Sequence, residues 1–147
     1  MAEVSVTAAE VLVGAGAVVK TGTAGATITA GDVLYEDPVT GKLLLAQRDA
    51  TATEAQVVGI ALGGGGDGQK IEYQTGGTIE IGSSASIAEA AVYILGTTAG
   101  AMQPHTDHDP DGTKVPAATQ YTTLIGIGND DNGLELCIKP SVHQISA

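Results

Sequence analysis

Val57-Val58-Gly59-Ile60-Ala61 and Leu124-Ile125-Gly126-Ile127-Gly128 are two short aliphatic runs with a glycine at the same place in each. Runs of this length between glycine-rich or polar stretches are typical of buried strands. The later run 134–138 alternates aliphatic and other residues, which is the period-two pattern of a strand with one buried face. A glycine inside a strand often marks a bulge or a close backbone contact, so we expect Gly59 and Gly126 to hold equivalent places.

Strand and turn signals continue along the rest of the chain. Turn residues separate the apolar runs about every 8 to 12 residues, which is the spacing of a β-sandwich or barrel. Helix-forming sequence is limited to 51–56 and 86–91, each long enough for a turn or two. We therefore predict an all-β fold, a small barrel-like or sandwich-like domain. Further strands are predicted at 3–7, 32–36, 42–45, 69–75, 78–81, 91–95 and 122–127.

A possible internal sequence repeat suggests two related β-halves. Four segments of the first half reappear in order in the second half, at offsets of 58, 59, 67 and about 65 residues. The alternative is a chance similarity in a chain of low complexity. The matched segments are Val33-Leu34-Tyr35 with Ala91-Val92-Tyr93, Thr40-Gly41-Lys42 with Ala99-Gly100-Ala101, 57–61 with 124–128, and 68–73 with 133–138.

The chain divides into an extended N-terminal arm, residues 1–26, and a single β domain, residues 27–147. Residues 14–31 are nearly all Gly, Ala, Thr and Val, which suits an arm that orders on binding. Residues 103–120 contain three prolines and several charged residues, so we expect a long loop there.

Composition and charge limit the possible partners. The 147 residues include 21 Gly and four Tyr but no Phe or Trp, so the core is thin and its stability is expected to depend on neighbouring molecules. The net charge is −11, from 17 acidic and 6 basic residues. Nucleic-acid affinity comes largely from Lys and Arg, and anionic membranes attract basic segments. We therefore expect neither nucleic acid nor membrane as a partner.

Signals of compartment are mostly negative. The N-terminus lacks a basic region followed by an apolar stretch, so no signal peptide is predicted. No apolar run is long enough to span a bilayer. Cys137 is the only cysteine and cannot form an internal disulfide. These features indicate a chain that is made and folded in a cytoplasm.

Two glycine-rich stretches resemble nucleotide-binding motifs but depart from them. The run 11–19 has Gly14 and Gly16, but Val19 stands where the third glycine of a dinucleotide fingerprint belongs, and no helix pattern follows. We predict a strand with a glycine kink, or an extended arm. The run 63–68 lacks the Lys-Ser/Thr pair of a phosphate loop, so a flexible connection between two strands is predicted.

The best metal candidate is Asp107-His108-Asp109-Pro110-Asp111-Gly112, whose spacing resembles the start of a calcium loop. Ala118 stands where the closing bidentate Glu belongs, so a solvated acidic loop is the better interpretation. His105, His108 and His143 do not have the spacing of a zinc site, and Cys137 lies between apolar residues of a strand. We therefore predict no catalytic, cofactor-binding or metal-binding residues and no enzymatic activity.

Several stretches together resemble the capsid cement, or decoration, proteins of tailed phages. The resemblance covers roughly residues 22–140 and consists of turns and small apolar strands, without a catalytic motif. The loop 103–120 is longer than the usual connection in that family. The similar stretches are 28–35 followed by Thr40-Gly41-Lys42, 58–62, 68–71 and 124–127.

The resemblance implies a β-barrel-like domain on the outer surface of the virion, made in the host cytoplasm. It implies the major capsid protein as partner, bound where capsid subunits meet, and a homotrimer, with a dimer as the alternative. The second functional hypothesis is a β-rich carbohydrate-recognition or host-recognition module. Such modules usually present aromatic rings for stacking on sugars, and this chain has few aromatic residues.

Overall fold

The computed structural model describes residues 4–48, 51–105, 121, 123–129 and 132–139. About 47% of these residues lie in β-strands and 5% in helix, and the strands form one curled antiparallel sheet. The predicted all-β domain is therefore confirmed. The described part contains short 3-10 helices at Ala8–Glu10 and Ser83–Ala85. Its strands are β1 (Leu12–Val13), β2 (Val18–Thr23), β3 (Val33–Glu36), β4 (Leu43–Leu45), β5 (Val57–Ala61), β6 (Lys70–Glu80), β7 (Val92–Leu95), β8 (Met102–Pro104), β9 (Leu124–Gly128) and β10 (Gly133–Lys139).

The long strand β6 connects the two halves of the sheet. The strand order is β4-β3-β5-β6-β10-β9-β7-β8, and β1 and β2 also pair with β6. Gly77, in the middle of β6, has a φ of 79°, a backbone conformation that favours glycine. The buried Gln74 amide donates hydrogen bonds to the carbonyl oxygens of Gly76 at 2.9 Å and Thr78 at 2.8 Å. The amide thus bridges the kink at Gly77, on either side of which the strand continues.

The two predicted β-halves are confirmed by identical strand pairing. β3, β4, β5 and β6 pair with one another as β7, β8, β9 and β10 do. In both halves the third strand has one extra residue, a β-bulge, at the same step of the ladder; these residues are Val58 and Ile125. The equivalent pairs are Val33–Ile60 with Val92–Ile127, Leu34–Gly59 with Tyr93–Gly126, Tyr35–Val57 with Ile94–Leu124, Ile60–Gln74 with Ile127–Glu135, and Ala61–Tyr73 with Gly128–Leu134.

Gly59 and Gly126 hold equivalent places, as predicted, and both allow a close backbone approach. A Cβ atom added to Gly59 would lie 2.5 Å from the carbonyl oxygen of Gln74. A Cβ atom added to Gly126 would lie 2.5 Å from the carbonyl oxygen of Glu135. Gln74 and Glu135 are themselves equivalent in the two halves, because each pairs with the isoleucine that follows the glycine.

The strand register corrects two of the four predicted offsets. Offsets of 59 and 67 are confirmed for β4 with β8 and for β5 with β9. β3 and β7 are also related by 59 residues rather than 58, because Tyr35 is equivalent to Ile94 and not to Tyr93. β6 and β10 are related by 61 residues rather than about 65. Matching Gly68 to Gly133 was wrong because β10 begins at its glycine, whereas β6 begins two residues after Gly68.

Four other strand predictions need correction. The predicted strands 69–75 and 78–81 are one strand, since Gly76-Gly77 forms a kink and not a turn. No strand is present at 4–7, although Val4 and Val6 pack on the core and the Val4 amide donates to the Met102 carbonyl at 2.8 Å. β2 lies inside the segment 14–31, and β8 extends through Pro104, where the long loop 103–120 was predicted to begin.

The aliphatic side chains form two clusters. The larger, main core lies between the halves and contains residues of both, and the smaller one covers the opposite face of the first half. Ala24 and Ile28 close the smaller cluster, so the segment after β2 forms part of the fold. Representative members of the main core are Val33, Val57, Ile60, Tyr93, Leu95, Ile125 and Leu134; those of the smaller cluster are Leu34, Leu43, Ala61, Ile71 and Tyr73.

Buried polar groups fasten the halves together. The Thr123 hydroxyl donates to the carbonyl oxygen of Ala55 at 2.6 Å, and both residues are fully buried. The fully buried Arg48 donates its backbone N–H to Gly96 at 3.1 Å and accepts a bond from the Tyr121 amide at 2.8 Å. The connection between β4 and β5 therefore joins the first half to the strands of the second.

Candidate functional site

An exposed apolar strip follows the two N-terminal strands. Leu12 and Val13 of β1 are 57% and 54% exposed, and Val18 and Val19 of β2 are 50% and 41% exposed. We call these four residues the apolar edge. Within the described residues, β1 and β2 pair with no strand except β6. Exposed aliphatic side chains on a strand edge are typical of a surface that another protein covers.

The apolar edge lies in the longest stretch of the chain that has no acidic residue. Residues 11–31 contain no Asp or Glu, although the chain has 17 acidic residues. The only charged residue in this segment is Lys20, which is exposed on β2. A partner that contacts this segment avoids most of the repulsion or desolvation that an acidic surface imposes.

The run 11–19 folds into the apolar edge, so the prediction of a strand with a glycine kink is confirmed. The turn between β1 and β2 contains Gly16, whose φ is 68°. The Gly14 amide donates to the Thr78 carbonyl at 2.8 Å, and an added Cβ would lie 2.6 Å from that oxygen. A strand, not a helix, follows the glycines, which removes the helix N-terminus that a dinucleotide site needs.

The run 63–68 connects β5 to β6, as predicted, but hydrogen bonds fasten it to the protein. Gly65 exchanges backbone bonds with Ile28 at 2.8 and 2.9 Å. The Gly68 amide donates to Ala24, and the Gly66 amide donates to the Gln69 side chain at 2.7 Å. These amides already have protein acceptors, so they are not arranged to hold a phosphate.

The predicted acidic loop lies outside the described residues. Asp107, Asp109, Asp111, Ala118, His108 and His143 all belong to this undescribed part. His105 is exposed just after β8, and Cys137 is partly buried in β10. Among the described residues, no group of three His, Cys, Asp or Glu side chains is close enough to hold a metal ion.

A small cavity of about 150 Å³ lies where the halves meet, beside Asp32. The Asp32 carboxylate accepts a hydrogen bond from the Thr29 amide at 2.8 Å. Burial raises the pKa of Asp32 above its ordinary value, although the bond from Thr29 opposes that shift. The cavity is otherwise lined mainly by small or aliphatic residues, among them Val4, Val6, Ala99 and Met102, so it offers no set of converging catalytic groups.

The tyrosines serve the core rather than the surface. Tyr35, Tyr73 and Tyr93 are at most 9% exposed, and Tyr121 is half-buried. Burial, with the nearby charges of Glu54 and Asp37, raises the pKa of Tyr35; burial also raises the pKa of Tyr73. No exposed aromatic platform for sugar stacking is therefore formed by the tyrosines.

The apolar edge was not predicted from the sequence, because the segment was interpreted as an arm and its side chains were not assigned to a surface. The available signal was the coincidence of four aliphatic residues with the acid-free stretch 11–31. That coincidence indicates a contact surface in a chain whose net charge is −11.

No family model matches the chain, and no curated protein is significantly similar to it. Within the described residues, no helix has the length and apolar character needed to cross a membrane.

Proposed function

We propose that the chain is a phage capsid decoration protein, which binds the outer surface of the head and stabilises the shell without enzymatic activity. Its partner is the major capsid protein, and it acts as a homotrimer, with a dimer as the alternative. The exposed apolar edge in an acid-free segment is the observation that most supports this proposal, since it provides a surface for a protein partner.

The acidic surface and the thin core fit this function. A net charge of −11 suits the outside of a head better than the inside, where the negative charge of DNA would repel it. A chain that binds the assembled shell but not free capsid protein stabilises the shell by mass action. The stabilisation is about 2.7 kcal/mol per site when the free concentration of the chain is one hundred times the dissociation constant. Decorated heads are then expected to withstand heat better than undecorated heads.

The second hypothesis, a carbohydrate-recognition or host-recognition module, has less support. Sugar binding by stacking needs exposed aromatic rings, and all four tyrosines are buried or half-buried. A glycan array distinguishes the two hypotheses, because the decoration protein is expected to give no glycan signal.

Point substitutions test the proposal better than deletion of residues 1–26. Val11 and Ala24 belong to the two cores, so a deletion would remove packing as well as the contact surface. Leu12→Asp changes an exposed side chain on the apolar edge. Val39→Asp is the matched control, since Val39 is 90% exposed in the turn before β4.

The experiment measures uptake of each variant by heads of the phage that encodes the chain, purified without it. Wild type and Val39→Asp are expected to bind equally, and Leu12→Asp at least tenfold more weakly. If wild type does not bind, the proposed function is wrong. If Leu12→Asp binds like wild type, the function stands but β1 is not the contact surface. The expectation that residues 1–26 form an arm that orders only on the shell or in the oligomer is not tested by this experiment, and in the single chain β1 and β2 already pair with β6.

A further inference from the structure

The internal repeat reveals a row of side chains that is buried in one half and exposed in the other. In the first half, adjacent strands place Val33, Ile60 and Gln74 side by side, and all three are 0% exposed. The equivalent row in the second half is Val92, Ile127 and Glu135. Paired residues of neighbouring strands point to the same face, so each row forms one continuous strip.

Among the described residues, nothing covers the second row as the main core covers the first. The main core, which includes strands of the second half, packs on Val33 and Ile60. Val92 is 37% exposed, Ile127 is 41% exposed, and Glu135 is exposed beside them. We call these three residues the outer row. It presents two aliphatic side chains and one carboxylate, so a complementary surface needs an aliphatic group next to a cation.

β2 of the same chain has that complementary chemistry. Val18 and Lys20 are exposed and lie two residues apart on β2. The register shift between Val18 and Val19 leaves Thr75 of β6 as the extra residue, so β2 keeps its alternation and these two side chains point to the same face. Neither Lys20 nor Glu135 forms a salt bridge within the described residues. The spacing of Val18 and Lys20 along β2, roughly 6.6 Å, is similar to that of residues on adjacent strands of the outer row, roughly 5 Å.

We propose that the outer row of one copy binds β2 of a second copy, with Lys20 against Glu135 and Val18 against Ile127. The inference rests on the proposed function in one respect, the self-association of the chain, and adds the surfaces that form the contact. Because the two surfaces differ, the contact is head-to-tail; it closes a three-membered ring, or a dimer if it is made twice across a two-fold axis. Leu12 and Val13 of β1 remain available for the shell.

The charges favour a second copy of the chain as the partner that binds β2. A chain of net charge −11 repels itself in most orientations, and Lys20 offers an acidic neighbour a cation on a strand that has no carboxylate of its own. Exposed pairs of opposite charge gain little energy alone, so the aliphatic contacts provide affinity and the ion pair selects the orientation.

A charge-swap experiment tests this contact by sedimentation velocity at several protein concentrations. Lys20→Glu and Glu135→Lys are each expected to raise the dissociation constant of self-association at least tenfold. The double variant restores the pair with opposite polarity and is expected to lie within about threefold of wild type. Lys70→Glu and Glu72→Lys are matched controls: both residues are exposed on β6, and the same changes in net charge there are expected to leave association unchanged.

Circular dichroism checks that all variants keep the wild-type fold. The proposal is overturned if wild type is monomeric at about 100 µM or if the single variants associate as strongly as wild type. It is also overturned if the double variant associates no more strongly than the single variants. Binding of the chain to phage heads is measured separately and tests the proposed function. If heads bind a wild-type chain that is monomeric in solution, the self-association contact is refuted and the proposed function stands.

Discussion

Replacing Gly126 with alanine tests the structural equivalence of the two halves. The added Cβ would lie 2.5 Å from the Glu135 carbonyl oxygen, whereas ordinary contact begins at 3.4 Å. The β9–β10 ladder must therefore open by about 0.9 Å at this point. Such overpacking costs about 1–3 kcal/mol, and 2 kcal/mol lowers the melting temperature of a domain of this size by roughly 4–8 °C.

Gly59→Ala is expected to have the same effect, because its Cβ would lie 2.5 Å from the Gln74 carbonyl oxygen. Gly63→Ala is the control: no atom lies within 4 Å of its added Cβ, and its φ is not positive. The control is expected to leave stability unchanged or raise it by up to about 1 kcal/mol. Thermal and urea unfolding, followed by circular dichroism, measure all three variants. Ala variants at 59 and 126 that are as stable as the control would refute the close approach.

Three further predictions concern charge, hydrogen bonding and metal. Asp32→Asn is expected to remove a pH dependence of stability, because burial raises the pKa of Asp32 and the folded protein therefore binds this proton more tightly than the unfolded chain. In urea titrations, the wild type should lose stability relative to the variant as the pH rises from about 4 through the raised pKa. Equal stability curves for the two proteins would contradict this. Thr123→Val removes the 2.6 Å bond from the hydroxyl to the Ala55 carbonyl, which keeps its bond from the Val57 amide at 3.1 Å, so the expected cost in urea unfolding is about 0.5–1.5 kcal/mol. Unchanged stability would show that the bond does not fasten the halves. Calorimetry with millimolar calcium is expected to give no saturable heat, because Ala118 cannot close a calcium loop; a saturable heat that Asp109→Ala removes would contradict this.

The sequence predicted the features that depend on local pattern. The aliphatic runs around Gly59 and Gly126 were correctly predicted as equivalent strands. A buried strand and its glycine can be identified from a few consecutive residues of the sequence. The kinked strand β6 was not predicted, since Gly76-Gly77 has the composition of a turn. Its continuity depends on the Gln74 amide and on pairing with strands distant in sequence.

The candidate surfaces depend on tertiary structure to an even greater extent. β2 lacks a period-two pattern and is a strand because it pairs with β6, so its valines were interpreted as part of an arm. The outer row becomes visible only when residues of β7, β9 and β10 are placed side by side. Composition and charge limited the classes of possible partner, and the structure located the exposed aliphatic surfaces that a partner could contact.

Cryo-electron microscopy of phage heads incubated with the purified chain tests the proposed function most directly. The heads should come from the phage that encodes the chain and should lack it before incubation. Added density is expected on the outer surface where capsid subunits meet, with β1 facing the shell. Heads that remain bare at saturating concentration, with the folded chain left in solution, would contradict the proposed function.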